Sequence, residues 1–190
     1  MLKTLPSLNH LVVIAPHPDD EAIGCASFFK SGQVTKLIIV TDGGIQTIRK
    51  TMDNKKYINK RKRESLKFAT SFGVNKNDIF FLGYHDGQLD KIDIKNLFNK
   101  INRLVKSEET ILVPSILDSH NDHRQVAQTA GLFKNRVVCY TITGSYPDSP
   151  SVLRIKCHNQ LLIKKYYLSQ YWRLLKSNFL FRTYEEYQIS

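Results

Sequence analysis

The sequence predicts an α/β protein: a Rossmann-like, three-layer domain with a mostly parallel sheet. Short apolar runs recur along the chain, and segments of helical periodicity lie between them. That alternation builds parallel βαβ units whose helices cover the sheet. A further observation locates the working end. Clusters of histidine and acidic residues follow the first and fourth runs, and ligands of open α/β sheets bind at the carboxyl ends of strands.

Leu11-Val12-Val13-Ile14 reads as a buried first strand. The turn Ala15-Pro16-His17-Pro18-Asp19-Asp20-Glu21 follows it, and Ala22 to Phe29 reads as a helix. Thr35 to Val40 is the second strand, broken by Thr41-Asp42-Gly43-Gly44, whose two glycines suggest a tight turn near a ligand. Residues 45–59 are polar and basic and read as a loop at the rim. A helix is predicted from Lys60 to about Phe72, with Leu66, Ala69 and Phe72 at buried positions, and Gly73 caps it. Asp78 to Leu82 is the third strand, ending in Gly83-Tyr84-His85-Asp86-Gly87. Ile94, Leu97, Phe98, Ile101, Leu104 and Val105 repeat at helical spacing. Thr110 to Val113 is the fourth strand, followed by Asp118-Ser119-His120-Asn121-Asp122-His123 and a helix from about Arg124 to Phe133. Arg136 to Ile142 is the fifth strand. No repeat or linker divides the chain, so residues 1–190 read as one domain, ending in a basic, aromatic helical segment from about residue 155.

Composition narrows the class. Lys and Arg number 28 against 17 acidic residues, a formal charge of +11. Such an excess favours an anionic partner, such as a phosphate-bearing or acidic glycan, or peripheral contact with a membrane surface. No finger, helix-turn-helix or aromatic RNA-binding pattern accompanies it, so no specific nucleic acid is expected. Cys25, Cys139 and Cys157 have no C-x-x-C spacing, which fits a reducing cytoplasm better than a disulfide framework. The first residues lack a signal-peptide core, and no apolar run approaches a membrane span.

The two polar clusters carry the chemistry. Pro16 and Pro18 stiffen the first loop, which suits ligands that hold their geometry without a metal. If the first and fourth strands are neighbours, His17, Asp20 and His123 form a His-Asp-His set. Three protein ligands with an open position are the pattern of catalytic zinc, and two histidines with a carboxylate also suit non-haem Fe(II). Asp19 is then free to take a proton, His120 to stabilise an oxyanion and protonate a leaving amine, and Asp122 to hold an imidazole tautomer. Together these parts describe metal-assisted hydrolysis of an amide or ester. The plainer reading is an acidic helix N-terminus favoured by the helix dipole, but that needs neither histidines nor prolines.

With those residues in place, the chain resembles the LmbE-like / PIG-L zinc-dependent N-deacetylases. Ala15-Pro16-His17-Pro18-Asp19-Asp20-Glu21 with Gly24-Cys25, and Asp118 to His123, look like the family's two signature motifs. Arg61-Lys62-Arg63-Glu64 looks like its R-x-x-E helix, Phe81 to Gly87 like its LG-x-x-DG turn, and Ser169-Gln170 with Glu185 or Glu186 like its C-terminal SQ…E region. The resemblance implies zinc on His17, Asp20 and His123, Asp19 as general base, His120 as oxyanion stabiliser and acid, and Arg61 as a contact to the sugar substrate, where Asp86 is also expected. Asp42 is expected beside them. It also implies removal of acetyl from an N-acetylglucosamine-type sugar. Ala26-Ser27 stands where many members have glycines, and the chain is short for the family. Two rival readings stay open: a non-catalytic binder of anionic ligands, and an Fe(II) hydrolase of another amide.

Overall fold

The computed structural model describes residues 6–8, 10–44, 52–143, 146–147, 151–157, 159–176 and 184–189. Of the loop expected at 45–59, residues 45–51 lie outside the described residues, as does the side chain of Trp172.

The first apolar run forms strand β1 (Leu11–Ala15), every residue of it buried. Its side chains alternate across the sheet: Leu11, Val13 and Ala15 enter one core, Val12 and Ile14 the other. A strand covered on both faces needs a continuous apolar run, and parallel sheets meet that condition because helices lie on either side. β2 (Val34–Thr41) behaves alike, with Leu37 and Ile39 on one side and Ile38 and Val40 on the other. Each such side chain contributes about 1.5–3 kcal/mol on burial. β3 (Ile79–Tyr84), β4 (Thr110–Pro114) and β5 (Val137–Tyr140) complete the parallel set.

The seven-stranded sheet has the order β3-β2-β1-β4-β5-β7-β6. β1 lies between β2 and β4, parallel to both, with Val12 paired to Ile111 and Val13 to Leu112. Strand order therefore reverses between β1 and β4, and a crevice opens there at the carboxyl ends. The neighbourhood assumed for the two motif loops is the one the fold makes.

Three elements differ from the sequence reading. The first helix is two short ones, α1 (Asp20–Gly24) and α2 (Ala26–Lys30), broken at Cys25. Gly24 lies against β5, where an added Cβ would stand 2.5 Å from the Tyr140 ring. Helix α3 (Met52–Ser71) starts well before Lys60. Its early buried positions are Asn54 and Arg61, so the inward stripe is polar and apolar periodicity does not register it. Helices α4 (Ile94–Asn102) and α5 (Asn121–Gln128) lie close to their predicted places.

The tail is not one helix from residue 155. It forms β6 (Val152–Lys156), α6 (Asn159–Tyr166), α7 (Leu168–Lys176) and β7 (Tyr184–Ile189). β7 runs antiparallel to both β5 and β6. Its Glu185 and Glu186 are buried, which a hydropathy reading rejects. Both carboxylates are satisfied: Glu185 accepts from the Ser27 amide and Asn159, and Glu186 from Arg154 at 2.7 Å and the Tyr146 amide. Among the described residues no helix is long and apolar enough to cross a membrane.

Candidate metal and active centre

The loop after β1 carries His17 to Asp20, and the loop after β4 carries Asp118 to His123 into α5. They meet over the crevice around a cavity of about 160 Å³. His17, Asp19, Asp20, Arg61, Asp86, His120 and His123 line it, with Ile23, Ile142, Thr143, Arg173 and Leu174.

Three donor atoms converge there. His17 Nδ1 lies 3.0 Å from Asp20 Oδ2, His123 Nε2 lies 3.1 Å from the same oxygen, and the two ring nitrogens are 3.1 Å apart. Two imidazole nitrogens so close cannot both direct protons at one point. Ligands around zinc at about 2.1 Å stand about 3.4 Å apart in a tetrahedron, and this triangle is only slightly tighter. The donor set fits a metal with one side left open.

The surroundings fix which nitrogen faces the triangle. His17 Nε2 contacts Asp122 Oδ2 at 3.1 Å and Asp86 Oδ1 at 3.2 Å, so its proton is held on that side and Nδ1 is free to ligate. On His123 the outer nitrogen, Nδ1, lies 3.0 Å from Asp118 Oδ2, an ion pair off the hydrogen-bond axis. Asp118 also accepts from the amides of His120 and Thr143, each at 3.0 Å. Its role was not drawn from the sequence, although it opens the second motif. Two other groups also have metal-type spacing: His17 with His120 and His123, and His17 with Asp86 and Asp122. Asp122 there is already saturated, accepting from the Gly87 and Leu89 amides as well as His17. Asp122 does not line the cavity and acts by orienting His17.

The buried carboxylates shape the charges. Burial disfavours the His17 cation, but hydrogen bonds to Asp122 and Asp20 outweigh this and hold its pKa well above the ordinary value. His123 is likewise opposed by burial, yet Asp20 and Asp118 bring it to about 9. Asp118, against burial, is held at about 2 by His123 and by bonds to its oxygens.

Asp19 differs from its neighbour. It occupies the N-cap position of α1 but makes no side-chain cap there, so the plainer reading of the acidic turn does not account for it. Its φ is +112°, a strained value for a non-glycine residue of the kind that concentrates at functional sites. Glu21 Oε2 accepts the Asp19 amide at 2.9 Å, and Tyr167 holds the other Glu21 oxygen at 2.5 Å. Asp19 Oδ1 pairs with Arg61 Nη2 at 3.0 Å, while buried Oδ2 has no partner. Burial raises the carboxyl to about 6, with Arg61 moderating the rise.

Arg61 lines the cavity but is 2% exposed. It donates to the Gly43 carbonyl at 2.8 Å and to the Pro18 carbonyl, and it holds Asp19. Gly43 is required for this approach: its φ is +63°, and a Cβ would stand 2.5 Å from Arg61 Nη1. Asp42 does not line the cavity. It accepts from the Gly44 amide at 2.9 Å and contacts His85 Nδ1 at 2.9 Å, bracing the turns. His120 is exposed, and its Nδ1 accepts from the Asp122 amide at 3.2 Å, which leaves Nε2 to carry the proton. Burial and the neighbouring His17 and His123 lower its pKa, so it is a neutral donor rather than a cation.

Fold and site together define a Rossmann-like α/β protein with a His/Asp metal-donor set at its switch point. The family profile described as PIG-L, GlcNAc-PI de-N-acetylase, matches residues 12–132. The chain belongs to the PIG-L (LmbE-like) family. No curated protein sequence matches it. Solved structures do. The N,N'-diacetylchitobiose deacetylase from Pyrococcus horikoshii is 20% identical with a TM-score of 0.65, the match covering 90% of this chain and 76% of that one. The zinc-inhibited form of the teicoplanin deacetylase Orf2 is 12% identical with a TM-score of 0.62, covering 95% and 97%. The 4-carboxy-2-hydroxymuconate hydratase GalB from Pseudomonas putida KT2440 is 14% identical with a TM-score of 0.54, covering 95% of both chains. At these identities the likeness is one of fold, and the fold hosts more than one reaction.

Proposed function

We propose that the protein is a metal-dependent hydrolase that removes the acetyl group from an N-acetylated amino sugar of the N-acetylglucosamine type. The observation that carries this reading is the donor triangle of His17 Nδ1, Asp20 Oδ2 and His123 Nε2 beside a buried, half-partnered Asp19. Membership of the PIG-L family and the two deacetylase neighbours support it. Zinc, with Fe(II) as the other metal the set suits, would be held by those three atoms. When bound it supplies a Lewis acid that polarises the amide carbonyl and makes water acidic.

The chain's own groups do the rest. Asp19 Oδ2 takes the proton of the attacking water, since it has no other partner and its carboxyl is poised at about 6. Arg61 holds Oδ1, which directs the free oxygen and keeps the carboxylate ionised at neutral pH. The Nε2–H of His120 donates a hydrogen bond to the carbonyl oxygen as charge develops there. The proton on Asp19 then passes to the leaving amine. Asp122 and Asp118 hold the two imidazoles with their ligating nitrogens inward. Ile23, Ile142 and Leu174 give the cavity an apolar wall that accommodates the acyl methyl group. We read residues 1–190 as one catalytic domain, since the sheet that carries the site is completed by β7.

The test is Asp19→Asn, a residue that tolerates positive φ, assayed for acetate release from N-acetylglucosaminides and for bound metal. Loss of a general base predicts a fall in kcat of about 10²–10⁴-fold with metal content unchanged. Undiminished acetate release would remove Asp19 from the mechanism. Absence of acetate from every N-acetyl sugar offered to zinc- or Fe(II)-reconstituted protein would overturn the function and favour chemistry of another kind, as in the hydratase neighbour.

A further inference from the structure

Two cations line the cavity, and they are used differently. Both Nη atoms of Arg61 are engaged with Asp19, Pro18 and Gly43, and its side chain is buried. Arg173 lies at the same cavity on α7, exposed. Among the described residues its guanidinium has no hydrogen-bond or ion-pair partner. It is near enough to Asp19 for its charge to favour the ionised carboxylate.

Its place over the cavity is built. The first turn of α7 is fastened to α3: the Ser169 amide donates to Glu64 Oε1 at 3.0 Å, and the Ser169 hydroxyl to Glu64 Oε2. Buried Gln170 donates to the Tyr57 hydroxyl at 2.5 Å. Residue 173 is one turn beyond 169 on the same helix face. Anchoring Ser169 to the helix that carries Arg61 therefore sets Arg173 over the site, and Leu174 beside it lines the wall. The acidic groups of the floor are matched already: Asp19 by Arg61, Asp20 by the two imidazoles, and Asp86 by His17. Arg173 is the cavity cation left over.

From this placement we propose that Arg173 is a specificity-determining residue that binds an anionic group, phosphate or carboxylate, attached to the sugar away from the amide to be cleaved. A planar guanidinium at the mouth suits either oxyanion through paired N–H donors. The inference deepens the deacetylase reading of this site and rests on it for the position of the amide. Arg173 lies beyond the residues matched by the family profile, 12–132.

The experiment compares zinc-loaded wild type, Arg173→Ala and Arg173→Lys on three N-acetylglucosamine derivatives: the 1-phosphate, the carboxymethyl glycoside and the neutral methyl glycoside. Wild type should prefer the two acids, and Arg173→Ala should narrow that preference by about tenfold or more, chiefly through KM. Arg173→Lys should recover more of it for phosphate than for carboxylate. Equal losses on all three substrates would make Arg173 a second counter-ion for Asp19 and overturn the proposal, as would a wild type indifferent to charge. A turnover-free arm separates the two readings: calorimetric titration of glucosamine 1-phosphate and methyl glucosaminide into wild type and Arg173→Ala. An Arg173-dependent preference there, with no acetate from any derivative, keeps the anion site and rejects the deacetylase. Acetate release with no such preference in either arm does the reverse.

Discussion

Replacing Arg61 by Met tests the geometry most directly, because one side chain holds three things at once. Its guanidinium lies 3.0 Å from Asp19 Oδ1 and donates to the carbonyls of Gly43 and Pro18. At 3.0 Å and an effective dielectric of about 20, the attraction between the charges is about 5 kcal/mol. Part of that offsets desolvation, and removing one partner of a buried pair costs about 3–5 kcal/mol. Methionine fills much of the volume, so the loss reads as lost charge and hydrogen bonds rather than a cavity. In a chain of this size each kcal/mol lowers Tm by about 2–4 °C, giving a fall of about 6–20 °C. The loss should depend on pH in a defined direction. Arg61 lowers the Asp19 pKa, so without it the carboxyl rises above about 6. Above its new pKa the variant carries a buried, unpaired carboxylate; below it the group is neutral and the penalty shrinks. Urea unfolding of the metal-free protein at pH 5 and pH 8 reads both effects. A loss under about 1 kcal/mol, or one equal at the two pH values, would refute the assignment of Arg61 as the holder of Asp19.

Two further outcomes follow from the imidazoles. His123 is held at about 9 against an ordinary 6.5, a raised pKa whose stabilisation is complete below 6.5 and disappears as pH rises through 9. Metal-free protein should therefore unfold at a higher urea concentration at pH 6 than at pH 9.5. For the same reason zinc binding at pH 7 must displace protons, so calorimetry in buffers of different ionisation enthalpy should show net proton release; none would mean that these imidazoles are not the ligands. Asp118→Asn should weaken zinc binding by about 10–100-fold, because Asp118 Oδ2 holds His123 Nδ1 at 3.0 Å, and an unaltered zinc dissociation constant would deny Asp118 that role.

Much of the fold was legible because parallel strands covered on both faces must be continuously apolar. β1, β2 and β4 stand out from the polar turns around them for that reason. The motif loops were legible because their residue types have few other uses together: two prolines, three histidines and a run of carboxylates at two strand ends. What escaped notice was polar and buried. The early turns of α3 hide behind Asn54 and Arg61, and β7 behind Glu185 and Glu186. Hydropathy counts such residues as exposed, and only their partners, distant in sequence, make them inward-facing.

The site divides the same way. By itself the sequence determined which groups carry donor atoms and that they follow the first and fourth strands. Tertiary structure decided what each does. Asp19 and Asp20 are adjacent and chemically identical, yet one faces two imidazoles and the other faces Arg61 from a strained backbone. Arg61, read as a substrate contact, is spent on holding Asp19, and Arg173, far along the chain, stands exposed at the cavity instead. The physical reason is that a charged group's role depends on its burial and its partner, and both are set by elements that come together only when the sheet closes.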